Sequence, residues 1–600
     1  MSVTLKYNGQ AVEKKDLHEA KAALIALADS CEKETPVTVL VKGTQNMKEA
    51  LTLSGEETPA IKKLRLTFKG EDEALFTSLV SIKGSEFKKV EGKPYYTYQL
   101  PKDENGCYPV FYDFYENGKR MAHATSPIWK NPFPFLPEER RGEKKLEGLY
   151  VPMAYAEAVK AEGSTNMQLS IRVQWEYFIL RVMGVDTSVT KDVNGEPYAL
   201  VTFDKDFDYY FVCGTNGCNN IGDRPTRFIN TPAFLTEAGS FVYKWDEGLL
   251  YVIPNGDIKD LTFAYPTLEN FFILKHMSDV RFEGLSFTGL TSKHVCGNGY
   301  FSELANHEKR VRGRLPHAAV YGEFCTDITV DGCRFYAMSG NAVQFRKRSV
   351  SITVKNSRFY DIGMSGVAVG DYSVKLANPD DRSFNTRVEN NYFEKMGYDY
   401  PSSACIYIGM TDGAKALYNT IEGCAYSGIY CGYIMALGTF TLGDQFNTRN
   451  VELAYNRIHN FMDILRDGAA IYVTGATAKT TFSRRFNAIH DNFAYLDDGK
   501  DRDRRGYYLD ASSSNWDVYD NVIHGCHFPV FTQYHISSQY THHNRVHHIY
   551  STTFIEHENH APWRDTTLHD CFVEYEGLDA LLEKHPEAGA IVDGAGACLD

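Results

Sequence analysis

From about residue 320 onward, the chain alternates β-branched or aromatic residues with polar ones in short runs, and no helical period persists there. Such a pattern predicts strands. Residues 328–336 (ITVDGCRFY) and 352–360 (ITVKNSRFY) nearly coincide, and 388–393 (VENNYF) continues the theme. A second signature, Asn-x-Ile/Val-His, recurs at 456–459, 487–490, 521–524 and 544–547, with Asn391 and Asn419 as earlier variants carrying Glu in place of His. The six asparagines are 28, 37, 31, 34 and 23 residues apart, which suits one coil of a solenoid with insertions. Asparagine at a repeated corner tolerates left-handed backbone and hydrogen-bonds the coils above and below. The expected fold class is therefore all-β, a right-handed parallel β-helix.

Each coil carries a second strand, and aligning these strands sets a register. Ile406–Gly409, Ile429–Gly432, Ile471–Thr474, Tyr507–Asp510 and Val530–Gln533 are expected to stack as rows of a column, with neighbours about 4.8 Å apart. The first part of the chain lacks this repeat. Residues 14–30 read as an amphipathic helix able to cap the open end of the solenoid, and 36–41 and 61–68 read as strands. The predicted division is 1–130 as cap and first strands, 131–265 as an inserted β-rich module, and 266–600 as the main β-helix. Within it, 131–146 reads as a linker, and 198–203 and 207–213 as strands.

Composition narrows the function. A net charge of −14 and a pI near 5.8 argue against nucleic acid and against a polyanionic substrate. The thirteen cysteines are scattered with no C-x-x-C, which reads as buried thiols in a reducing compartment. Residues 1–10 carry no export signal and no stretch is long and apolar enough for a membrane helix, so the expectation is a cytoplasmic protein with no membrane partner.

The chemistry is sought where acids break the repeat. Asp510 stands in a column position otherwise held by Gly409, Gly432, Thr474 and Gln533. Asp467 precedes its strand at the same offset as Asp503 precedes the next, which makes these two acids neighbours on successive coils. From asparagine to column end, the acid-bearing coils span 18 residues (Asn456 to Thr474) and 23 residues (Asn487 to Asp510), against 13 and 12 in flanking coils. Loops of that kind build binding grooves. Glycoside hydrolysis requires two carboxyl groups, about 5–5.5 Å apart for retention or about 6.5–9.5 Å for inversion. Asp510, Asp467 and Asp503 are the candidates, the alternative for Asp467 and Asp503 being turn residues. An extended chain would hold Asp503 and Asp510 roughly 23 Å apart, so pairing them needs a bend near Arg504 to Gly506.

Tyr472, Tyr508, Gln533 and His535 are candidate sugar contacts, with core packing as the alternative for this group, and Arg466 is a further candidate substrate contact. The repeated histidines and Trp516 read as structural. His542, His543, His547 and His548 resemble a metal cluster, but strict alternation sends strand neighbours to opposite faces, so no metal and no cofactor is assigned.

Residues 111–121 (FYDFYENGKRM), 227–253, 278–287, 467–474 (DGAAIYVT) and 507–521 (YYLDASSSNWDVYDN) resemble bacterial β-helix glycoside hydrolases, namely glycoside hydrolase family 141 and family 136, the lacto-N-biosidases. Family 141 is similar in placing one catalytic aspartate on a DGxxIY segment and another on a later YLD segment, which implies Asp467 and Asp510. Family 136 uses two aspartates seven positions apart, which implies Asp503 and Asp510. Thr-Gly after DGAAIYV and Ala after YYLD depart from family 141, so the resemblance does not carry subsite specificity. It implies a glycosidase, and the expected cytoplasmic location points to small oligosaccharides as its substrates, since an enzyme there meets imported fragments and not whole polymers. The rivals are a polysaccharide lyase or epimerase using Arg466, Arg504 or Arg505, a β-xylosidase-type β-helix, and a non-catalytic glycan-binding β-helix. Oligomeric state is not readable.

Overall fold

The computed structural model describes residues 2–599 apart from 33, 131–147, 164, 204–224, 299, 304–316, 371–380, 433–447, 476–486, 498–503, 511–512, 533–542 and 554–565. The strands stack as parallel coils. One face is a ten-stranded sheet of β1 (Leu51–Ser54), β2 (Phe272–Lys275), β3 (Ala318–Glu323), β4 (Asn341–Arg346), β5 (Val367–Val369), β6 (Ile406–Ile408), β7 (Ile429–Gly432), β8 (Ala469–Thr474), β9 (Arg505–Leu509) and β10 (Phe528–Thr532). The other coil strands, with the amino-terminal hairpin, form a 23-stranded sheet.

The column alignment expected from the sequence is the observed register. Ile406, Ile429, Ile471, Tyr507 and Val530 share one row, and Tyr407, Tyr430, Tyr472, Tyr508 and Phe531 share the next. Alternation then sorts the two rows. The first row points into the solenoid's apolar core, where Phe287, Phe335, Phe359 and Phe393 stack at centroid distances of 4.7, 5.1 and 4.6 Å. The aromatic row points outward into a second apolar cluster shared with Phe111, Tyr243 and Phe263.

A buried amide ladder runs up one corner, through four of the six asparagines the motif selects and one it does not. The amides of Asn391, Asn419, Asn456 and Asn492 each donate to the next oxygen, at 3.1, 2.9, 2.9 and 3.0 Å, ending on Asn521. Asn492 replaces Asn487 because Arg457 pairs with Phe493 and Leu453 with Ile489. Asn487 instead accepts from the Val451 N–H, and Asn544 from that of Trp516. The Asn-x-Ile/Val-His motif therefore marks two corners rather than one. Counted from the true ladder, Asn492 to Asp510 is 18 residues, the same as Asn456 to Thr474.

The predicted capping helix is α1 (Leu17–Ser30), capped by Asp16 and burying Leu17, Ala20, Leu24 and Ala28 against the first coil. The chain leaves the coils after Leu64–Thr77 and returns at β2, since Leu66 pairs with Val280 and Phe76 with Phe287. The described strands between them pair mostly antiparallel, with Ala122–His123 parallel to Ser240–Lys244 as an exception. Tyr96–Gln99 pairs with Leu249–Ile253, Leu79–Lys83 with Thr262–Pro266, and Trp129–Lys130 with Pro225–Ile229. Strands of 79–130 thus belong with this module rather than with the first coils. A strand's own pattern does not reveal whether its partner is parallel or antiparallel. Residues 198–203 lie in the strand Glu196–Phe203, while 131–146 and 207–213 are outside the described residues.

Candidate functional site

Asp467 and Asp510 belong to consecutive coils of the ten-stranded sheet, at opposite ends of their strands. Asp467 adopts φ +57 just before β8, a left-handed conformation that aspartate tolerates, and its carbonyl accepts the Tyr426 hydroxyl at 2.8 Å. Gly468 follows because a Cβ there would come within 2.6 Å of the Tyr426 ring. Asp510 follows β9, with its N–H on the Val473 carbonyl at 2.9 Å and its carbonyl accepting from Ser513. Both carboxylates are half-buried.

Arg505 links them. Tyr507 and Leu509 face inward, so strict alternation would send Arg505 into the apolar core as well. The alternation breaks at Gly506. A Cβ on Gly506 would lie 2.5 Å from the Pro529 carbonyl oxygen, and on the preceding coil both Ala470 and Ile471 face the interior. Arg505 therefore turns outward. Its Cζ sits 4.6 Å from the ring centroids of both Tyr508 and Phe531, and its guanidinium pairs with Asp467 at 3.0 Å. Burial works against the Arg505 charge, but Asp467, Tyr508, Tyr472 and Asp510 together hold its pKa above the ordinary value.

Tyr472 and Tyr508 stack at 4.8 Å but are 0% and 1% exposed, so their rings pack beneath the surface and do not offer a platform for sugar. Tyr472 acts through its hydroxyl, which donates to Asp510. Burial first, and then the Asp510 charge, push that hydroxyl's pKa well above the usual tyrosine range, so it stays a donor. Arg466 is exposed, and its N–H donates to the Gln174 carbonyl at 2.9 Å, which brings a hairpin turn of the antiparallel module beside Asp467. Asp503, Gln533 and His535 lie outside the described residues.

The repeated histidines make local contacts. His459 bonds Glu422 at 2.6 Å and His490 bonds Asp491 at 2.7 Å. His547 and His548 do not diverge as strict alternation requires. His548 occupies a left-handed corner (φ +49), which brings its Nδ1 to 3.1 Å from that of His547. Trp516 is fully buried in the solenoid core.

The sequence reading missed a second constellation where the module meets the coils. Asp113 and Arg120 come from the module, and Asp361 and Asp399 from coil corners. Arg120 reaches Asp113 at 2.5 Å and Asp361 at 3.5 Å, and also bonds Asp399. These groups border a cavity of 340 Å³ lined also by Tyr112, His123, Tyr177 and Arg227. Burial pushes the Asp113 carboxyl up to about 7; Arg120 opposes the shift and Asp399 adds to it. His123 is buried and pushed down to about 3, which keeps it neutral. Asp113 sits inside the quoted segment FYDFYENGKRM, so the acid and its Arg120 partner were visible as residues. The two coil aspartates were not, because they lie 241 and 279 positions from Arg120.

The family model described as "Right handed beta helix region" matches residues 318–523. No curated protein matches the chain. A solved structure titled "Glycoside hydrolase" is 16% identical, covering 98% of this chain and 96% of its own, with a TM-score of 0.68. A lacto-N-biosidase of family 136 from Eubacterium ramulus is 11% identical over 51% of each chain, with a TM-score of 0.30. The fold is a right-handed parallel β-helix. Among the described residues, no helix is long and apolar enough to cross a membrane.

Proposed function

We propose that the protein is a glycoside hydrolase that cleaves short oligosaccharides with Asp510 as its central carboxylate. The observation that carries this reading is the line of side chains running from Asp467 through Arg505 to Tyr472 and Asp510 on one outward face. Two carboxylates from separate coils, one neutralised by a guanidinium and one fixed by a tyrosine hydroxyl, suit a reaction that separates the roles of two acids. The Tyr472 hydroxyl donates to Asp510 and so favours its ionised form, which fits a nucleophile or base. Arg505 pairs with Asp467 and holds its carboxylate in place. The proton donor that the family 136 spacing implies is Asp503, which lies outside the described residues. The module packed against the aromatic row supports a short ligand over a long polymer. Engagement of Arg505 with Asp467 and two rings takes that guanidinium out of the lyase reading, which then rests on Arg466 or Arg504.

A second reading is favoured by one observation, the buried Asp113 carboxyl beside Arg120 in the wall of the 340 Å³ cavity. A carboxyl with pKa about 7 beside a sugar-sized cavity is the kind of group that serves as a general acid. In that reading the chemistry lies at the junction of module and coils.

The test is a panel of aryl glycosides and short oligosaccharides run with wild type, Asp467→Asn, Asp503→Asn, Asp510→Asn and Asp113→Asn. The first reading expects hydrolysis abolished by Asp510→Asn and by Asp503→Asn, and reduced by Asp467→Asn. Turnover that survives Asp510→Asn but is lost in Asp113→Asn supports the second. No hydrolysis of any glycan overturns both.

A further inference from the structure

We infer that Glu269, His294 and His317 form a binding site for a divalent transition-metal ion, best matched by zinc, at the joint between the antiparallel module and the first coils. One ligand atom from each of the three residues lies within 4.8 Å of the other two. The His317 Nε2 to Glu269 Oε1 distance is 3.4 Å. Two ligands about 2.1 Å from a tetrahedral ion lie about 3.4 Å apart, so this pair already has the separation of one tetrahedron edge.

The donor set fits the ion. Two imidazole nitrogens and one carboxylate oxygen are borderline ligands suited to zinc, and three protein ligands leave a fourth position for water. An ion pair between His317 and Glu269 would account for two of the three groups. His294, only 6% exposed, brings a second imidazole to the same point. A shared metal ion accounts for all three.

Each ligand is held by contacts outside the site, as ligand positioning requires. Glu269, in the segment that leads from the module into β2, accepts the Lys293 N–H at 2.8 Å. His294 is carried by the short helix α2 (Lys293–Asn298), whose Val295 carbonyl accepts the Gln168 side-chain amide of the module at 2.8 Å. His317 immediately precedes β3, and its carbonyl accepts the Asn341 N–H at 2.9 Å. Gly340 is required beside it, at φ +77, since a Cβ there would lie 2.6 Å from that carbonyl. The ion would tie together the return from the module, the helix that leaves the second coil and the entry to the next coil. Separations of 25 and 23 residues leave no local motif for a sequence reading to find.

The purified full-length chain is stripped with a chelator and titrated with zinc, with metal content counted by elemental analysis. The expected result is one zinc per chain and a rise in thermal midpoint on loading. Binding should weaken by about tenfold or more in His294→Gln, His317→Gln and Glu269→Gln. It should be unchanged in His276→Gln, which alters a different His–Glu pair. Cobalt loading of the wild-type chain supplies a readout that no substitution can compromise, because four-coordinate cobalt with these ligands absorbs intensely in the visible. Sub-stoichiometric zinc, a cobalt spectrum like that of the free aqueous ion, or zinc retained at full affinity by the variants would overturn the assignment.

Discussion

Arg505 lies over the ring of Tyr508, three residues further along the same strand, with Cζ 4.6 Å from the ring centroid. An unbroken strand would hold residues three apart on opposite faces. The break at Gly506 brings them together, and it places a cation between two carboxylates that would otherwise belong to unrelated ends of neighbouring strands. The first three predictions below follow from that arrangement.

Asp510→Asn should lower kcat/KM by about 100-fold or more on the best substrate while leaving the fold intact, because it removes a charge that the reaction requires and keeps the side chain's size. Steady-state kinetics beside a circular dichroism melt measures both. A variant as active as wild type would remove Asp510 from the chemistry.

Tyr472→Phe deletes only the hydroxyl that donates to Asp510. The ring stack with Tyr508 is retained, so stability should change by about 1 kcal/mol. Activity should fall roughly tenfold, through kcat more than KM. An equal loss in Tyr508→Phe would show that the effect does not come from the hydrogen bond to Asp510.

Arg505→Met should destabilise the protein by about 3 kcal/mol, since it removes the guanidinium that pairs with the partly buried Asp467 carboxylate. Adding Asp467→Asn should recover much of that loss if the ion pair is the cause. Chemical denaturation of the single and double variants closes the cycle.

Asn456→Ala should cost about 1–3 kcal/mol, more than a surface substitution, because it leaves the Asn419 N–H and amide without their acceptor and removes the amide that donates to the Asn492 and Ala416 oxygens inside the solenoid. Asn487→Ala, off that ladder, tests whether the cost belongs to the ladder itself.

Asp113 gives a pH dependence with a definite sign. Its carboxyl moves from an unfolded value near 3.8 to about 7 in the fold, so between those values the native state holds more protons than the unfolded chain. Stability from this group is therefore greatest below pH 3.8 and is lost as pH rises through 7. Asp113→Asn, which mimics the neutral acid, should flatten the fall in unfolding free energy across that window relative to wild type. Parallel curves for the two proteins would mean that Asp113 is ionised throughout.

The period-two pattern and the repeated segments determined the β-helix and its column register, because a strand's side-chain alternation is local and stacked coils repeat it. Asp510 stood out as a break in its own column on the same ground. Which asparagines share a ladder depended on two insertions of different length, and only the paired strands resolve those. The burial of Tyr472 and Tyr508 was decided by the module that folds back over the outward face, a contact between distant parts of the chain. The outward turn of Arg505, the Asp113 cluster and the Glu269, His294 and His317 group likewise arise from corners and junctions. There the alternation of a strand lapses and tertiary packing alone sets where each side chain points.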